Sequence, residues 1–261
     1  MKYGFIGCGN MGGALARALA KTTLDFALTD RSGKGKVLAE EMGCQYTDAA
    51  SIAFTCDRIF LGVKPHMMKD VLAPLVPILQ TRRPTLITMA AGLSMAQIEE
   101  FAGGGIPVIR IMPNTPVSVG KGVILYCSNE QASKAIVRDF LEDMAPAGRL
   151  EALDESLMDA GSALSGSSPA FAYIFMEALA DGAVACGIPR AKAIDLAAAT
   201  LAGAAELVMA TGQHPGALKD AVCSPKGSTI AGIRALEERG FRSAVTEAVC
   251  ATYDRNLELG K

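Results

Sequence analysis

The apolar residues in the first half of the chain fall into short runs, which alternate with stretches of helical spacing. The clearest runs are Phe26 to Thr29, Ile59 to Val63, Thr85 to Met89 and Val108 to Met112. Runs of this kind are typical of strands buried on both faces of a parallel sheet. Alternating strands and helices predict a doubly wound α/β sheet, in which ligands bind at the carboxyl ends of the strands.

Weaker patterns extend this sheet and mark two helix starts. Three further strands are predicted at Gly43 to Tyr46, Gly122 to Cys127 and Arg149 to Ala152. Ser94 followed by Gln97 forms a capping box that begins a helix. Ser128 followed by Gln131 predicts a second capped helix in the same way.

The start of the chain combines a strand, a glycine turn and a helix. The apolar run Tyr3 to Ile6 leads into Gly7-Cys8-Gly9-Asn10-Met11-Gly12, which has the spacing of the dinucleotide fingerprint. In that fingerprint Gly7 permits the tight turn, Gly9 lets the backbone approach a pyrophosphate and Gly12 lets the helix pack on the strand. The pattern predicts a Rossmann-type site, and its alternative is an ordinary strand–turn–helix connection.

Two residues after the second strand bear on the choice of dinucleotide. Asp30 stands where an acid accepts hydrogen bonds from the adenine ribose hydroxyls of NAD(H). Arg31 beside it suits the 2′-phosphate of NADP(H), because guanidinium pairs well with phosphate. We favour NADP(H), with NAD(H) possible. The alternative for Arg31 is a solvated loop residue.

From residue 154 onward the strand patterns stop and alanine-rich helices replace them. Ser168-Pro169 begins a helix and Gly187 ends it, while Pro189 begins the next and Gly212 ends it. These helices have few aromatic residues and predict a thin core that packs against a second subunit. We therefore predict a Rossmann NAD(P)-binding domain at residues 1–153 and an all-α dimerisation domain at 154–261. The alternative is a compact monomeric bundle.

Composition narrows the class of partner. The 261 residues are 50% apolar, and the net charge of −2 comes with scattered lysines and arginines. We expect a small-molecule partner, and neither nucleic acid nor membrane. Seven cysteines without a C-x-x-C pair indicate free thiols, and His66 and His214 are far apart, so no metal site is expected. An N-terminus without room for a signal peptide and the absence of an uncharged apolar stretch of bilayer length predict a cytoplasmic location.

A second candidate site lies between two helices near the C-terminus. Ser224-Pro225-Lys226-Gly227-Ser228-Thr229 precedes a helix that is predicted to end at Gly240. A turn rich in Gly and Ser at a helix N-terminus presents several backbone N–H groups and suits a carboxylate. It equally suits a simple capping turn.

Five motifs in this order run through the whole chain. They are Gly7-Cys8-Gly9-Asn10-Met11-Gly12, Val63-Lys64-Pro65, Met112-Pro113-Asn114-Thr115-Pro116, Leu164-Ser165-Gly166-Ser167-Ser168-Pro169-Ala170 and the Ser224 to Thr229 loop. Together they resemble the pyrroline-5-carboxylate reductase family, which catalyses the last step of proline biosynthesis. The resemblance implies hydride transfer from NAD(P)H to a cyclic imine carboxylate. It also implies a C-terminal domain that dimerises, often within a decamer, and that holds the substrate.

The fingerprint and the resemblance together define the expected site residues. The predicted cofactor-binding residues are Ile6, Gly7, Cys8, Gly9, Asn10, Met11, Asp30, Arg31, Val63, Lys64, Pro65, Ala90, Ala91, Gly92 and Asn114. The predicted substrate-binding residues are Ser224, Lys226, Gly227, Ser228 and Thr229. Of these, Thr229 and Ser224 are predicted to be catalytic, Thr229 by hydrogen-bonding the imine nitrogen or relaying its proton. Ser168 and Lys226 depart from the family, which usually has glycine at both positions.

Three other functions compete with this one. A β-hydroxyacid dehydrogenase shares the two-domain plan but needs a lysine base, and residues 165–176 contain none. A related imine reductase for another ring size and a non-catalytic NADP(H)-binding paralogue remain alternatives. An assay with NADPH and pyrroline-5-carboxylate distinguishes them.

Overall fold

The computed structural model describes residues 2–259. The chain divides into two compact units, one of Met1–Ser167 with Thr252–Lys261 and one of Ser168–Ala251. This division into compact units falls after Ser167. The predicted domain boundary between residues 153 and 154 stays a prediction.

The first unit is built on one sheet, which has eight strands within the described residues. They are β1 Tyr3–Ile6, β2 Phe26–Thr29, β3 Gln45–Tyr46, β4 Arg58–Leu61, β5 Thr85–Thr88, β6 Val108–Pro113, β7 Gly122–Ser128 and β8 Gly148–Ala152. Their order is β3-β2-β1-β4-β5-β6-β7-β8. Strands β1 to β6 are parallel, β7 runs antiparallel to β6, and β8 is parallel to β7. The predicted doubly wound sheet is confirmed.

The helices of this unit follow the strands. They are α1 Asn10–Leu19, α2 Lys34–Met42, α3 Ala49–Thr55, α4 Met68–Leu72, α5 Val76–Arg82, α6 Met95–Phe101, α7 Lys134–Met144 and α8 Met158–Gly161. Successive residues of a strand face opposite sides of the sheet, so they enter different cores. Phe60 packs in one core and stacks on Phe5 at 4.4 Å between ring centroids, whereas Ile59 and Leu61 pack in the other. Both faces are therefore covered, as the unbroken apolar runs require.

One predicted helix start is correct and one is wrong. Ser94 caps α6 through a complete capping box with Gln97. Ser128 does not begin a helix, because it is the last residue of β7, and α7 begins later, where Ser133 accepts a hydrogen bond from the Ile136 N–H. Between them, Asn129 Oδ1 accepts from the Val108 N–H at 2.8 Å, and this bond holds the intervening residues as a turn at the strand end.

The second unit is helical. Its elements are α9 Ser168–Ala185, α10 Arg190–Thr211, α11 Pro215–Ala221, α12 Ser228–Glu238 and most of α13 Phe241–Leu259. Gly212 ends α10 in a left-handed conformation, φ +64°, where a residue with a Cβ is disfavoured. Among residues 2–259, α10 is the one helix long and apolar enough to cross a bilayer by length and composition, and only 11% of its most apolar window is buried within this chain.

Candidate active site

The glycine turn after β1 has the geometry that a dinucleotide needs. A Cβ on Gly7, whose φ is +104°, would lie 2.6 Å from the Gly62 backbone, and one on Gly12 would collide with the Gly7 carbonyl oxygen. Around Gly9, by contrast, nothing lies within 4 Å of an added Cβ, so the backbone is open there. Two of the glycines permit close packing and the third leaves room for a ligand. The turn therefore fits a pyrophosphate on the N-terminus of α1.

A cleft of about 570 Å³ opens beside this turn, at the carboxyl ends of β1, β4, β5 and β6. Its volume lies in the usual range for a cofactor site. It is lined by Gly9, Asn10, Met11, Gly12, Gly62, Val63, Lys64, Pro65, Met89, Ala90, Ala91, Met112 and Pro113. Eight of the predicted cofactor-binding residues are thus brought together: Gly9, Asn10, Met11, Val63, Lys64, Pro65, Ala90 and Ala91.

Four other predicted residues of the same loops lie behind or beside the cleft. Ile6 and Gly7 are buried at the end of β1, and Gly92 lines a neighbouring cavity. Cys8 is also buried, and its thiol contacts the Thr29 carbonyl oxygen at 3.6 Å. Burial, with a smaller contribution from the charge of Asp30, raises the pKa of Cys8 to about 12. Cys8 is consequently a neutral, space-filling thiol near pH 7.

Asn114 lies at the end of β6, and its amide is engaged within the first unit. Its Nδ2 donates to the Ser165 carbonyl oxygen at 2.9 Å, while Oδ1 accepts from the Val123 N–H at 2.8 Å. The side chain is almost fully buried. Asn114 thus ties two neighbouring segments to β6, and its predicted contact with the cofactor stays a prediction.

Asp30 is occupied by its own loop. Oδ1 accepts from the Gly35 N–H at 3.0 Å and faces the Tyr46 hydroxyl at 3.4 Å, and Oδ2 accepts from the Ser32 N–H at 3.2 Å and from the Ser32 hydroxyl. Burial opposes ionisation, but these hydrogen bonds outweigh it and hold the pKa of Asp30 below its usual value. A carboxylate has about four acceptor positions. Ser32 and Gly35 take three of these positions, and the Tyr46 hydroxyl has its shorter contact, 3.0 Å, with the Asp30 carbonyl oxygen. Most of the acceptor capacity of Asp30 is therefore used within the fold.

Arg31 follows Asp30 in the same turn and its side chain is exposed, as are those of Ser32 and Lys34. These side chains surround the N-terminus of α2, where the helix dipole favours an anion. The arrangement suits a 2′-phosphate better than a bare ribose, in agreement with the preference predicted from Arg31.

The predicted carboxylate loop lies in the second unit and forms a turn before α12. The Gly227 N–H donates to the Ser224 carbonyl oxygen at 3.0 Å, and Gly227 is the N-cap residue of the helix. Lys226 has φ +59°, a left-handed conformation that glycine adopts more easily. The side chains of Ser224, Lys226, Ser228 and Thr229 are exposed in this chain. Within the described residues, the hydroxyls of Ser224 and Thr229 are not used in hydrogen bonds of the fold and so are open to a ligand.

The two histidines are not close to a metal-ligand set. His214 Nδ1 accepts from the Gly216 N–H at 3.0 Å and caps α11. Across residues 2–259, no three His, Cys, Asp or Glu side chains are grouped so as to hold a metal ion.

Sequence reasoning did not select five lining residues as cofactor contacts, namely Gly12, Gly62, Met89, Met112 and Pro113. Met89 directly follows β5, and Met112 is the penultimate residue of β6. Their position at the carboxyl edge is the signal that would have found them.

Comparison with known proteins gives matches over the full chain. A family model described as pyrroline-5-carboxylate reductase dimerisation matches residues 155–259, and one described as NADP oxidoreductase, coenzyme F420-dependent, matches residues 2–92. The pyrroline-5-carboxylate reductase of Escherichia coli (strain K12) is 38% identical, and the alignment covers 100% of this chain and 98% of that protein.

Solved structures of pyrroline-5-carboxylate reductases also match this chain over its full length. The reductase from Coxiella burnetii superposes with a TM-score of 0.91 at 32% identity, covering 100% of this chain and 98% of that one. The Plasmodium falciparum pyrroline carboxylate reductase with NADP bound gives a TM-score of 0.88 at 30% identity, with the same coverage.

Proposed function

Because this chain belongs to the pyrroline-5-carboxylate reductase family, we propose that it reduces 1-pyrroline-5-carboxylate to L-proline with a hydride from NADPH. The observation that carries the proposal is that the family similarity includes both the dinucleotide turn and the carboxylate loop. The protein is thus an NAD(P)H-dependent oxidoreductase that acts on a cyclic imine. NADP(H) is favoured because Asp30 is engaged by its own loop and Arg31 is not.

Binding and orientation are the chain's main tasks in this reaction. The reduced nicotinamide, when bound, supplies the hydride. The open backbone at Gly9 and the residues Asn10 and Met11 receive the pyrophosphate end, while Ala90 and Ala91 offer a wall of small residues to a flat ring. No residue needs to form a covalent bond, so catalysis depends on holding the two reactants within near-attack distance.

The substrate carboxylate binds to the loop before α12. Backbone N–H groups at the N-terminus of a helix, aided by its dipole, suit a negative charge. The exposed ammonium group of Lys226 adds attraction for the acidic substrate. Ser224 and Thr229 supply hydroxyls next to these N–H groups.

The imine nitrogen requires a proton, and Thr229 helps to supply it. Its hydroxyl is exposed in the first turn of α12 and can hydrogen-bond that nitrogen. A threonine hydroxyl is a weak acid, so its contribution falls below the usual range of general acid catalysis, which is about 10²–10⁴-fold. We expect Thr229→Ala to lower kcat by about tenfold and to leave the Kd for NADPH unchanged.

The test follows NADPH consumption with pyrroline-5-carboxylate, and Thr229→Ser serves as the matched control because it keeps the hydroxyl. Unaltered turnover in Thr229→Ala removes this residue from the mechanism. A six-membered cyclic imine carboxylate, run in parallel, distinguishes a reductase for another ring size. No turnover with either imine, combined with tight NADPH binding, points instead to a non-catalytic paralogue.

The protein forms homo-oligomers through its helical half, in keeping with the dimerisation model that matches residues 155–259. The finer assembly is a dimer that can be built into a decamer. We place the protein in the cytoplasm without a membrane contact, where the products of amino-acid biosynthesis are used.

A further inference from the structure

Arg110 is a buried arginine at the centre of a small charged cluster. It lies on β6 with its side chain 5% exposed, and its guanidinium pairs with Glu155 Oε1 and Asp159 Oδ1, each at 3.3 Å. Its Nε is buried and has no hydrogen-bond partner within the described part of the chain. The arginine is thus held by its two acidic partners at its outer nitrogens only.

This cluster adjoins the loop that follows β5. Arg110 is in register with Thr88, the last residue of β5, so it lies beside the point where the loop begins. It also lines a cavity of about 260 Å³ together with Gly92 and Ser94 at the other end of the loop. Arg110 is therefore adjacent to the loop of residues 89–94, hereafter the β5–α6 loop, through its backbone at one end and through the shared cavity at the other.

Glu155 links Arg110 to the first residue of α6. Its Oε1, the same atom that pairs with Arg110, accepts from the Met95 N–H at 2.7 Å. Met95 is the first residue of α6, and its N–H is one of the free donors of that helix N-terminus. The charge on Arg110 holds Glu155, Glu155 holds the start of α6, and the start of α6 fixes the end of the β5–α6 loop.

The other side of the same loop is the wall of the cofactor cleft. Met89, Ala90 and Ala91 line it, and so do Met112 and Pro113, which follow Arg110 along β6. We infer that Arg110 and Glu155 are positioning residues that set the β5–α6 loop at the height required by the nicotinamide end of NADPH. The inference rests on the proposed function for the identity of that ligand.

The competing explanation is that the cluster only stabilises the fold, and the chain offers a matched control for it. Arg58 is likewise a buried arginine on a strand, with an unpartnered Nε and one acidic partner, Asp139, at 3.0 Å. It is the first residue of β4 and therefore lies at the amino ends of the strands, away from the cleft. Both arginines stabilise the fold, but only Arg110 adjoins the cofactor loop.

The experiment compares Arg110→Met with Arg58→Met in the full chain. Thermal unfolding gives the stability of each variant, and NADPH fluorescence titration without substrate gives Kd. We expect both variants to lose stability, whereas only Arg110→Met raises the Kd for NADPH, by about tenfold, and lowers kcat by about ten- to a hundredfold through misplacement. Arg110→Lys keeps the positive charge but cannot pair with Glu155 and Asp159 through two separate nitrogens. Its Kd for NADPH is expected to lie between those of the parent and Arg110→Met.

A second pair of variants keeps the test decisive if Arg110→Met does not fold. Glu155 is half-buried, so it tolerates substitution better. Glu155→Gln keeps an oxygen for the Met95 N–H and is expected to bind NADPH within about twofold of the parent, whereas Glu155→Ala removes that acceptor and is expected to raise Kd about tenfold.

Equal Kd values for Glu155→Ala and Glu155→Gln overturn the inference, and so does an equal rise in Arg110→Met and Arg58→Met. Failure of the proposed function has a different signature. In that case the parent binds NADPH but does not reduce pyrroline-5-carboxylate, and the differences in Kd still report on the loop.

Discussion

Lys226 occupies a backbone conformation that lysine rarely adopts. Its φ of +59° lies in the turn that precedes α12, at a position where glycine carries no Cβ penalty. A left-handed conformation costs a residue with a Cβ about 1–2 kcal/mol. The strain is located in the predicted substrate loop. The lysine therefore lowers stability there, and we expect its positive charge to compensate by attracting the acidic substrate.

We expect Lys226→Gly to be more stable and a weaker binder of substrate. The relief of strain, less the extra freedom of glycine in the unfolded chain, leaves a net gain of about 0.5–1 kcal/mol. Loss of the ammonium group raises the KM for the imine carboxylate, most clearly at low salt. Thermal unfolding at fixed protein concentration and steady-state kinetics measure the two effects.

Lys226→Ala separates strain from charge, because it removes the ammonium group but keeps the Cβ. It is expected to match the parent in thermal midpoint and Lys226→Gly in KM. If Lys226→Ala has the parent's KM at low salt, the lysine has no part in attracting the substrate.

At the scale of elements, we propose that the turn between β2 and α2 is the site that binds the 2′-phosphate of NADP(H). Asp30 organises it through the Gly35 and Ser32 N–H groups, and Arg31 stands outside at the entrance to α2. Removal of Arg31 should therefore affect only the phosphate, while removal of Asp30 should affect the whole turn. The two changes give different patterns of cofactor use.

We expect Arg31→Ala to raise the KM for NADPH by about tenfold or more, since a hydrogen bond between charged groups contributes about 1.5–3 kcal/mol. The KM for NADH should change by less than about twofold, because NADH has no 2′-phosphate to pair with Arg31. Asp30→Ala is the control and should raise both values together. A selective loss of NADH use in Asp30→Ala would show instead that Asp30 binds the ribose hydroxyls.

The cofactor-binding unit contains features that the sequence can predict and features that it cannot. The strand, glycine turn and helix at the N-terminus are predictable because their signals are local: spacing, glycine and apolar runs. The hydrogen bond from Asn114 to Ser165 and the contact of Tyr46 with Asp30 are not, because they join segments that meet only in the folded chain. The other bonds of Asp30, from Ser32 and Gly35, are local but depend on the shape of the turn. A carboxylate or amide at a strand end therefore predicts a site but not whether its acceptors are free.

The misplaced start of α7 has a similar cause. Ser128 and Ser133 both suit an N-cap, and the extension of β7 against β6 decides between them. Pairing partners in a sheet are remote in sequence, so they override a local capping pattern. The capping box at Ser94 survives because β5 ends before it, at Thr88.

At the scale of the molecule, the helical half exposes several large apolar side chains. A groove of about 690 Å³ in the second unit is lined by Phe171, Ile174, Phe175, Leu179, Leu236, Phe241, Val245, four alanines and one serine. Ile174 is 67% exposed, and α10 is largely uncovered although it is apolar enough to enter a bilayer. Contiguous surfaces of this kind mark association sites.

The dimerisation family model over residues 155–259 supports homo-oligomerisation, and we expect a second copy of the chain to cover this groove. A helix that packs against a partner subunit can be as apolar as a membrane span, so we propose that the apolar composition of α10 serves homo-oligomerisation. We expect association to supply the burial that the single chain lacks, in line with the thin core predicted from the sequence.

We therefore expect the protein to sediment as a homo-oligomer at micromolar concentration, and Ile174→Arg to shift it towards monomer, because a buried unpaired charge at an interface costs several kcal/mol. Leu24→Arg is the matched control, since Leu24 is 56% exposed in the first unit and outside the dimerisation region. It should sediment like the parent. Analytical ultracentrifugation over a range of concentrations makes the comparison. A monomeric parent, or an Ile174→Arg variant that associates as strongly as Leu24→Arg, would contradict the assignment of this groove to the subunit interface.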